Sequence, residues 1–253
     1  MLGDLKKEDS TMNIMGDFIY KKAKPLPVIL LLDTSGSMTI DDNIGTLNNA
    51  VREMLRDFQK AANSEASISV AIITFGKTTG LYQPLVDVSE IDVNGINLEA
   101  YGMTPMGEAI STAKKLIEDR EIIPSRAYRP TIVLVSDGEP TDNWQSSLEA
   151  LMNEGRSSKC YRMAMGIGVE HGTPAYNVLR QFVSSEEQVF DASNATEISQ
   201  FFQYVTISTT SRTTSANPNM IPSRDSLSTA IQSAAKTSKA EEEDDDLGGL
   251  LPF

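Results

Sequence analysis

The chain has 253 residues, a formal net charge of −13 and a hydrophobic fraction of 40%, which suits one α/β domain with a real core and polar tails. An acidic surface repels phosphate backbones, so composition argues against nucleic acid as a direct ligand and favours cations and basic protein surfaces. The single cysteine, Cys160, excludes an internal disulfide; with no signal-like apolar start, and a longest apolar run (Val28 to Leu32) too short to span a bilayer, the expected location is cytoplasmic.

Residues 1–24 are polar and lack periodicity, and read as a loose arm in which Met12 and Met15 are alternative starts. PVILLLD, from Pro27 to Asp33, is a continuous apolar run ending in an acid, as buried parallel strands are. A small polar loop, TSGSMTIDDN, follows. Leu47, Val51, Met54, Leu55 and Phe58 then mark one face of a helix. SISVAIITF, from Ser67 to Phe75, is a second buried strand, and TGLYQPLVDV, with Pro84, an edge strand. MTPMGEAISTAKKLIEDR begins a helix with Thr104 as its expected cap and Pro105 at its first position. TIVLVSDG, from Thr131 to Gly138, is a strand running into an acid and a turn. NWQSSLEALMNEG is a helix that Thr141 and Asp142 are expected to cap. KCYRMAMGIG reads as a strand, AYNVLRQFV as a helix, QVFDA as a short strand and TEISQFFQYVTI as a last helix. This alternation predicts an α/β fold, a Rossmann-like doubly wound sheet with helices on both faces.

The domain is expected over residues 25–208. A Ser/Thr-rich linker is expected over 209–240, and an acidic tail with an apolar tip over 241–253.

Two strands end in acids, Asp33 and Asp137, and ligands of such sheets bind beyond the carboxyl ends of the strands. Asp33 opens Asp-Thr-Ser-Gly-Ser, which sets Ser35 and Ser37 on the same loop, while Gly36 lets the backbone turn tightly enough for both hydroxyls to face one point. Carboxylate, hydroxyl and water oxygens are the hard ligands that Mg2+ requires, with Mn2+ or Ca2+ as alternatives.

DTSGSM, MTPMGEAI and VLVSDGEPTD, in that order, resemble the three loops of the metal-ion-dependent adhesion site in von Willebrand factor A domains. The resemblance implies direct metal ligation by Ser35, Ser37 and Thr104, with Asp33 and Asp137 acting mainly through bound waters. It also implies a sheet order of 3-2-1-4-5-6 with an antiparallel edge strand, and a Glu or Asp of a partner protein completing the octahedron. PVILLLDTSGSM, then DGEPTDNW, then a helix with FFQYV near the domain's end carry a narrower likeness, over roughly Lys24 to Ser215, to bacterial tellurium-resistance TerY-type proteins. That likeness implies an adaptor in a stress-response or anti-phage system, with kinase-like and phosphatase-like partners.

Other residues weigh less. Trp144 is either a contact anchor beside the metal or a ring packed at a helix start. His171 reads as a solvated loop residue, and Cys160 as core. Gly76-Lys77-Thr78 is not a phosphate-binding loop, because Ala71 stands where its leading glycine belongs. Ser208 to Ser215 is either plain linker or a kinase target. The tail, EEEDDD followed by LGGLLPF, is similar to the acidic tip of bacterial single-stranded-DNA-binding proteins and reads as a docking peptide, or as an inhibitor of the chain's own metal site.

The function expected is a metal-dependent protein-binding adaptor and not an enzyme. The alternative is a metal-dependent phosphatase or phosphotransferase on a Rossmann-like sheet, but Ser35 occupies the place of the second acid that dehalogenase-type enzymes need. A serine hydrolase lacks its nucleophile elbow, and only His171 is available as its base.

Overall fold

A computed structural model describes residues 23–61, 66–185 and 187–222. The expected tail at 241–253, most of the expected linker and nearly all of the N-terminal arm lie outside these residues.

The sheet has six strands: β1 (Lys24–Asp33), β2 (Ala66–Phe75), β3 (Gly80–Asp87), β4 (Thr131–Ser136), β5 (Tyr161–Ile167) and β6 (Phe190–Ala192). Their order is β3-β2-β1-β4-β5-β6. Every pairing is parallel except β2 with β3, whose register shifts between Val70 and Ile73. Pro84 lies in β3, at the edge, where a missing N–H leaves no ladder position empty on a second neighbour.

Five longer helices cover the sheet: α1 (Asn43–Ala61), α2 (Met106–Glu118), α3 (Trp144–Asn153), α4 (Pro174–Phe182) and α5 (Ala195–Thr213). The two-residue period of β1 divides the core between the faces. Val28, Leu30 and Leu32 join α1 and α5, whose Leu55, Phe58, Phe201 and Val205 pack there. Ile29 and Leu31 point the other way, to Ile110 and Ile117 of α2, Leu151 of α3 and Leu179 of α4. All five β1 residues are fully buried, which explains why the run reads as continuously apolar.

The expected boundary at residue 208 is too early. Helix α5 runs to Thr213 and buries Ser208, Thr209, Arg212 and Thr213. Hydroxyls on this turn bond to their own helix: Ser211 to the Ser208 carbonyl and Thr213 to the Thr210 carbonyl. A Ser/Thr-rich segment can thus be buried without unpaired polar groups. The Arg212 guanidinium donates to Thr131 Oγ1 (2.9 Å), the Arg129 carbonyl (2.6 Å) and the Pro218 carbonyl (2.7 Å), which fastens the helix end beneath β4. Burial disqualifies Ser208, Thr209 and Thr213 as ready kinase targets in the folded domain. No helix among the described residues is long and apolar enough to cross a membrane.

Candidate metal centre

The winding reverses at β1, which pairs with β2 on one side and with β4 on the other. The crevice at the carboxyl ends of β1 and β4 is the topological switch point. Asp33 is the last residue of β1, and Asp137 follows Ser136, the last of β4.

Four of the five expected residues form one bonded chain there. Asp33 Oδ1 accepts the Ser35 backbone N–H at 2.8 Å. The Ser35 and Ser37 hydroxyls lie 3.0 Å apart, and Ser37 Oγ donates to Asp137 Oδ1 at 2.8 Å. The other Asp33 oxygen accepts from Ser136 Oγ at 2.6 Å. Ser136 was legible only as the end of a strand, although a polar residue closing an apolar run was a usable signal.

Thr104 enters through its backbone. Its N–H donates to Thr141 Oγ1 (3.1 Å), and its carbonyl accepts from the Thr141 N–H (2.9 Å). The Thr104 loop is also strapped to the serine loop: Gly36 N donates to the Gly102 carbonyl (3.0 Å), and Tyr101 N to the Thr34 carbonyl (2.7 Å). Gly102 has φ +99°, and a Cβ on it would stand 2.5 Å from Lys77 N, so only glycine permits this approach. Thr104 itself is buried, and its hydroxyl is not part of the bonded chain formed by the other four.

Two capping expectations need correction. Thr104 makes no cap to α2, which begins at Met106 after Pro105. Asp142 supplies that cap instead of capping α3: its carboxylate oxygens accept Gly107 N and Glu108 N, both at 2.9 Å. The Asp137 loop therefore holds the Thr104 loop at both ends, through Thr141 and Asp142. Sequence spacing missed this because cap and helix are 35 residues apart.

Asp33 is fully buried, and burial pushes its carboxyl up to about 6 against the hydrogen bonds from Ser136 and Ser35 that favour the anion. Burial raises Asp137 as well, opposed by Ser37. Among the described residues no Lys or Arg pairs with either acid. A buried carboxylate without a cation is costly. A donor set of two carboxylates and neutral hydroxyls on three fixed loops fits a hard divalent cation, because each hydroxyl can turn its proton away and present a lone pair. No cluster of three or more His, Cys, Asp or Glu suited to a metal exists among the described residues.

The remaining candidates fall elsewhere. His171 Nε2 sits 2.6 Å from Asp191 Oδ2 and stacks on Tyr176, on an exposed surface. Trp144 is half-buried and packs into the α2–α3 core. Cys160 is buried, and burial pushes its thiol up to about 12, so it is inert.

Comparison with known proteins fits this fold. The model of the von Willebrand factor type A domain matches residues 28–204. An uncharacterized protein of Mycobacterium tuberculosis is 34% identical over 119 residues, which are 45% of this chain and 18% of that protein. The chain thus matches less than a fifth of the length of that relative. Among solved structures, proximal thread matrix protein 1 from the mussel byssus, with zinc in its metal-ion-dependent adhesion site, is 19% identical with a TM-score of 0.56, covering 74% of this chain and 46% of that one. The pilus adhesin SpaC of Lactobacillus rhamnosus GG is 15% identical with a TM-score of 0.59, covering 74% of this chain and 30% of that one. At these identities the two structures establish the shared fold alone.

Proposed function

The chain belongs to the von Willebrand factor type A family, and from that premise we propose that it is a metal-dependent protein-interaction adaptor whose divalent cation, Mg2+ first among candidates, grips a carboxylate of a partner protein. The observation that carries this reading is the Asp33–Ser35–Ser37–Asp137 chain, with a fully buried acid and, among the described residues, no cationic side chain paired with it. Ser35, Ser37 and Thr104 would ligate the ion, while Asp33 and Asp137 would hold it chiefly through waters. With neutral direct ligands the ion keeps its appetite for an outside anion. The zinc in the adhesion site of the byssus protein supports a divalent ion.

The adaptor reading is preferred to a phosphatase or phosphotransferase. Both oxygens of Asp33 are engaged, by Ser35 N and Ser136 Oγ, which leaves the carboxylate poorly placed to attack phosphorus. The single histidine is bonded to Asp191 instead of standing at the metal loops. A cytoplasmic stress-response or anti-phage role, with kinase-like and phosphatase-like partners as in TerY-type proteins, rests on motif likeness and belongs to the same proposal.

The test is a pull-down from native lysate with Mg2+, beside EDTA and Asp33→Ala. A partner lost in both controls supports a metal-bridged adaptor. A partner retained in both sinks it for that contact, and turnover of a generic phosphate ester that vanishes in Asp33→Ala revives the enzyme.

A further inference from the structure

Large exposed apolar side chains gather beside the metal loops. Ile40, Tyr101 and Met103 are 60%, 66% and 64% exposed. Ile40 lies three residues past Ser37, and Tyr101 and Met103 precede Thr104 on the strapped loop. Leu81 and Tyr82, 41% and 39% exposed, open β3 just beyond the Gly76–Lys77 turn that Gly102 touches. Scattered surface apolar groups are ordinary, but a rim of them around one polar centre is the anatomy of a docking site.

The backbone beneath the rim is fixed. A Cβ on Gly76 would stand 2.4 Å from the Thr34 carbonyl, and one on Gly102 would stand 2.5 Å from Lys77 N, so three loops touch backbone to backbone. Asp41 and Asp42 follow Ile40 with φ of 50° and 55°, a region non-glycine residues enter at a cost. That kink interrupts the short helical segment Gly36–Asp42 at Ile40 itself. With the backbone already held, side-chain ordering is the main freedom left to lose on binding.

Charge narrows the partner. Lys77 Nζ lies 5.4 Å from the Tyr101 ring centroid, so this side of the rim is cationic and aromatic. Asp41 and Asp42 follow Ile40 in the chain, Glu139 follows Asp137 by two residues, and the whole chain is at −13. A broadly acidic partner would be repelled, whereas one acid set among apolar and basic residues would fit.

Building on the adaptor reading, we propose that Ile40, Tyr101 and Met103 form an apolar rim selecting partner segments in which the metal-seeking Asp or Glu is flanked by large apolar side chains, with basic residues further out. The metal supplies the grip common to any carboxylate. The rim discriminates among carboxylates.

The experiment uses the full chain saturated with Mn2+ and three synthetic peptides, read by calorimetry and by paramagnetic broadening of the peptide resonances. The first is acetyl-Leu-Phe-Asp-Leu-Lys-amide, the second acetyl-Ser-Asn-Asp-Ser-Lys-amide, and the third the first with Asn for Asp. The first is expected to bind at least about tenfold more tightly than the second. In Tyr101→Ala and Met103→Ala the two should bind alike. Two acidic peptides binding equally well to the natural chain would overturn the rim and leave the metal grip standing. Equal binding of the first and third peptides would overturn the metal grip, and with it the rim as a selector of acids. Failure of every peptide to bind would overturn both.

Discussion

The two ends of the sheet treat buried charge in opposite ways. At the end where strands begin, Arg212 is buried with all three nitrogens donating to oxygens of Thr131, Arg129 and Pro218. At the end where strands finish, Asp33 is buried with hydroxyls and one N–H around it. Neither has an opposite charge beside it among the described residues. Burial pulls Arg212 down to about 10, still protonated at neutral pH, whereas Asp33 is brought up to about 6, within reach of it. The arginine is closed off by the fold and does a structural task. The aspartate opens onto further oxygens that face it without neutralising it. A charge whose surroundings are complete is architecture, and one whose surroundings are incomplete points to a ligand.

The comparison can be broken first at its structural end. Arg212→Ala strands three acceptors and empties a large side chain's volume, so urea unfolding should show a loss of about 3–5 kcal/mol. A loss under about 1 kcal/mol would mean that the helix end is not fastened as described. At the other end, Asp33→Asn should leave the metal-free fold at least as stable, since a buried charge is removed. It should also abolish the stabilisation of about 2.7 kcal/mol expected from metal at a hundredfold excess over Kd. Thermal melts with Mg2+ and with EDTA decide this. An unchanged metal increment would remove Asp33 from the site.

Acid sharpens the contrast. The folded pKa of Asp33, about 6, lies above its ordinary 3.8. The folded, metal-free chain therefore holds this proton more tightly than the unfolded chain does. Its contribution to metal-free stability should rise as pH falls from about 6 to about 4. Metal affinity should move the other way, falling about tenfold from about pH 7 to about pH 5 as the proton competes with the cation. Calorimetric titration with Mn2+ checks the slope, and a flat profile would deny the linkage. The smallest effect is expected at Asp142→Ala. Losing the cap should cost about 1 kcal/mol, together with a several-fold loss of metal affinity as Thr104 loosens. A stability loss with metal affinity intact would reduce Asp142 to a cap alone.

Much of the frame was legible because the hydrophobic pattern writes it directly. Residues 28–32 are buried on both faces and read as an unbroken apolar run, and the acids closing β1 and entering the turn after β4 had to meet at the reversal of winding. The three loops were ordered by their motifs. What was illegible depends on contacts between distant segments. Asp142 reaches past its own helix to α2, because α2 and α3 pack so closely that a Cβ on Gly107 would stand 2.7 Å from the Trp144 Cα. The end of α5 was missed because its buried face is made of hydroxyls and one guanidinium, which apolar periodicity cannot register.

The fastening at Arg212 also sets where the described chain ends relative to the acids. Asn219 accepts from Arg129 N, just ahead of β4, while the described chain enters at residue 23, just ahead of β1. Entry and exit thus sit together at one pole, and Asp33 lies at the far end of a ten-residue strand, about 30 Å away. The first and last described residues thus share one pole of the domain, and the acids stand at the other, clear of both.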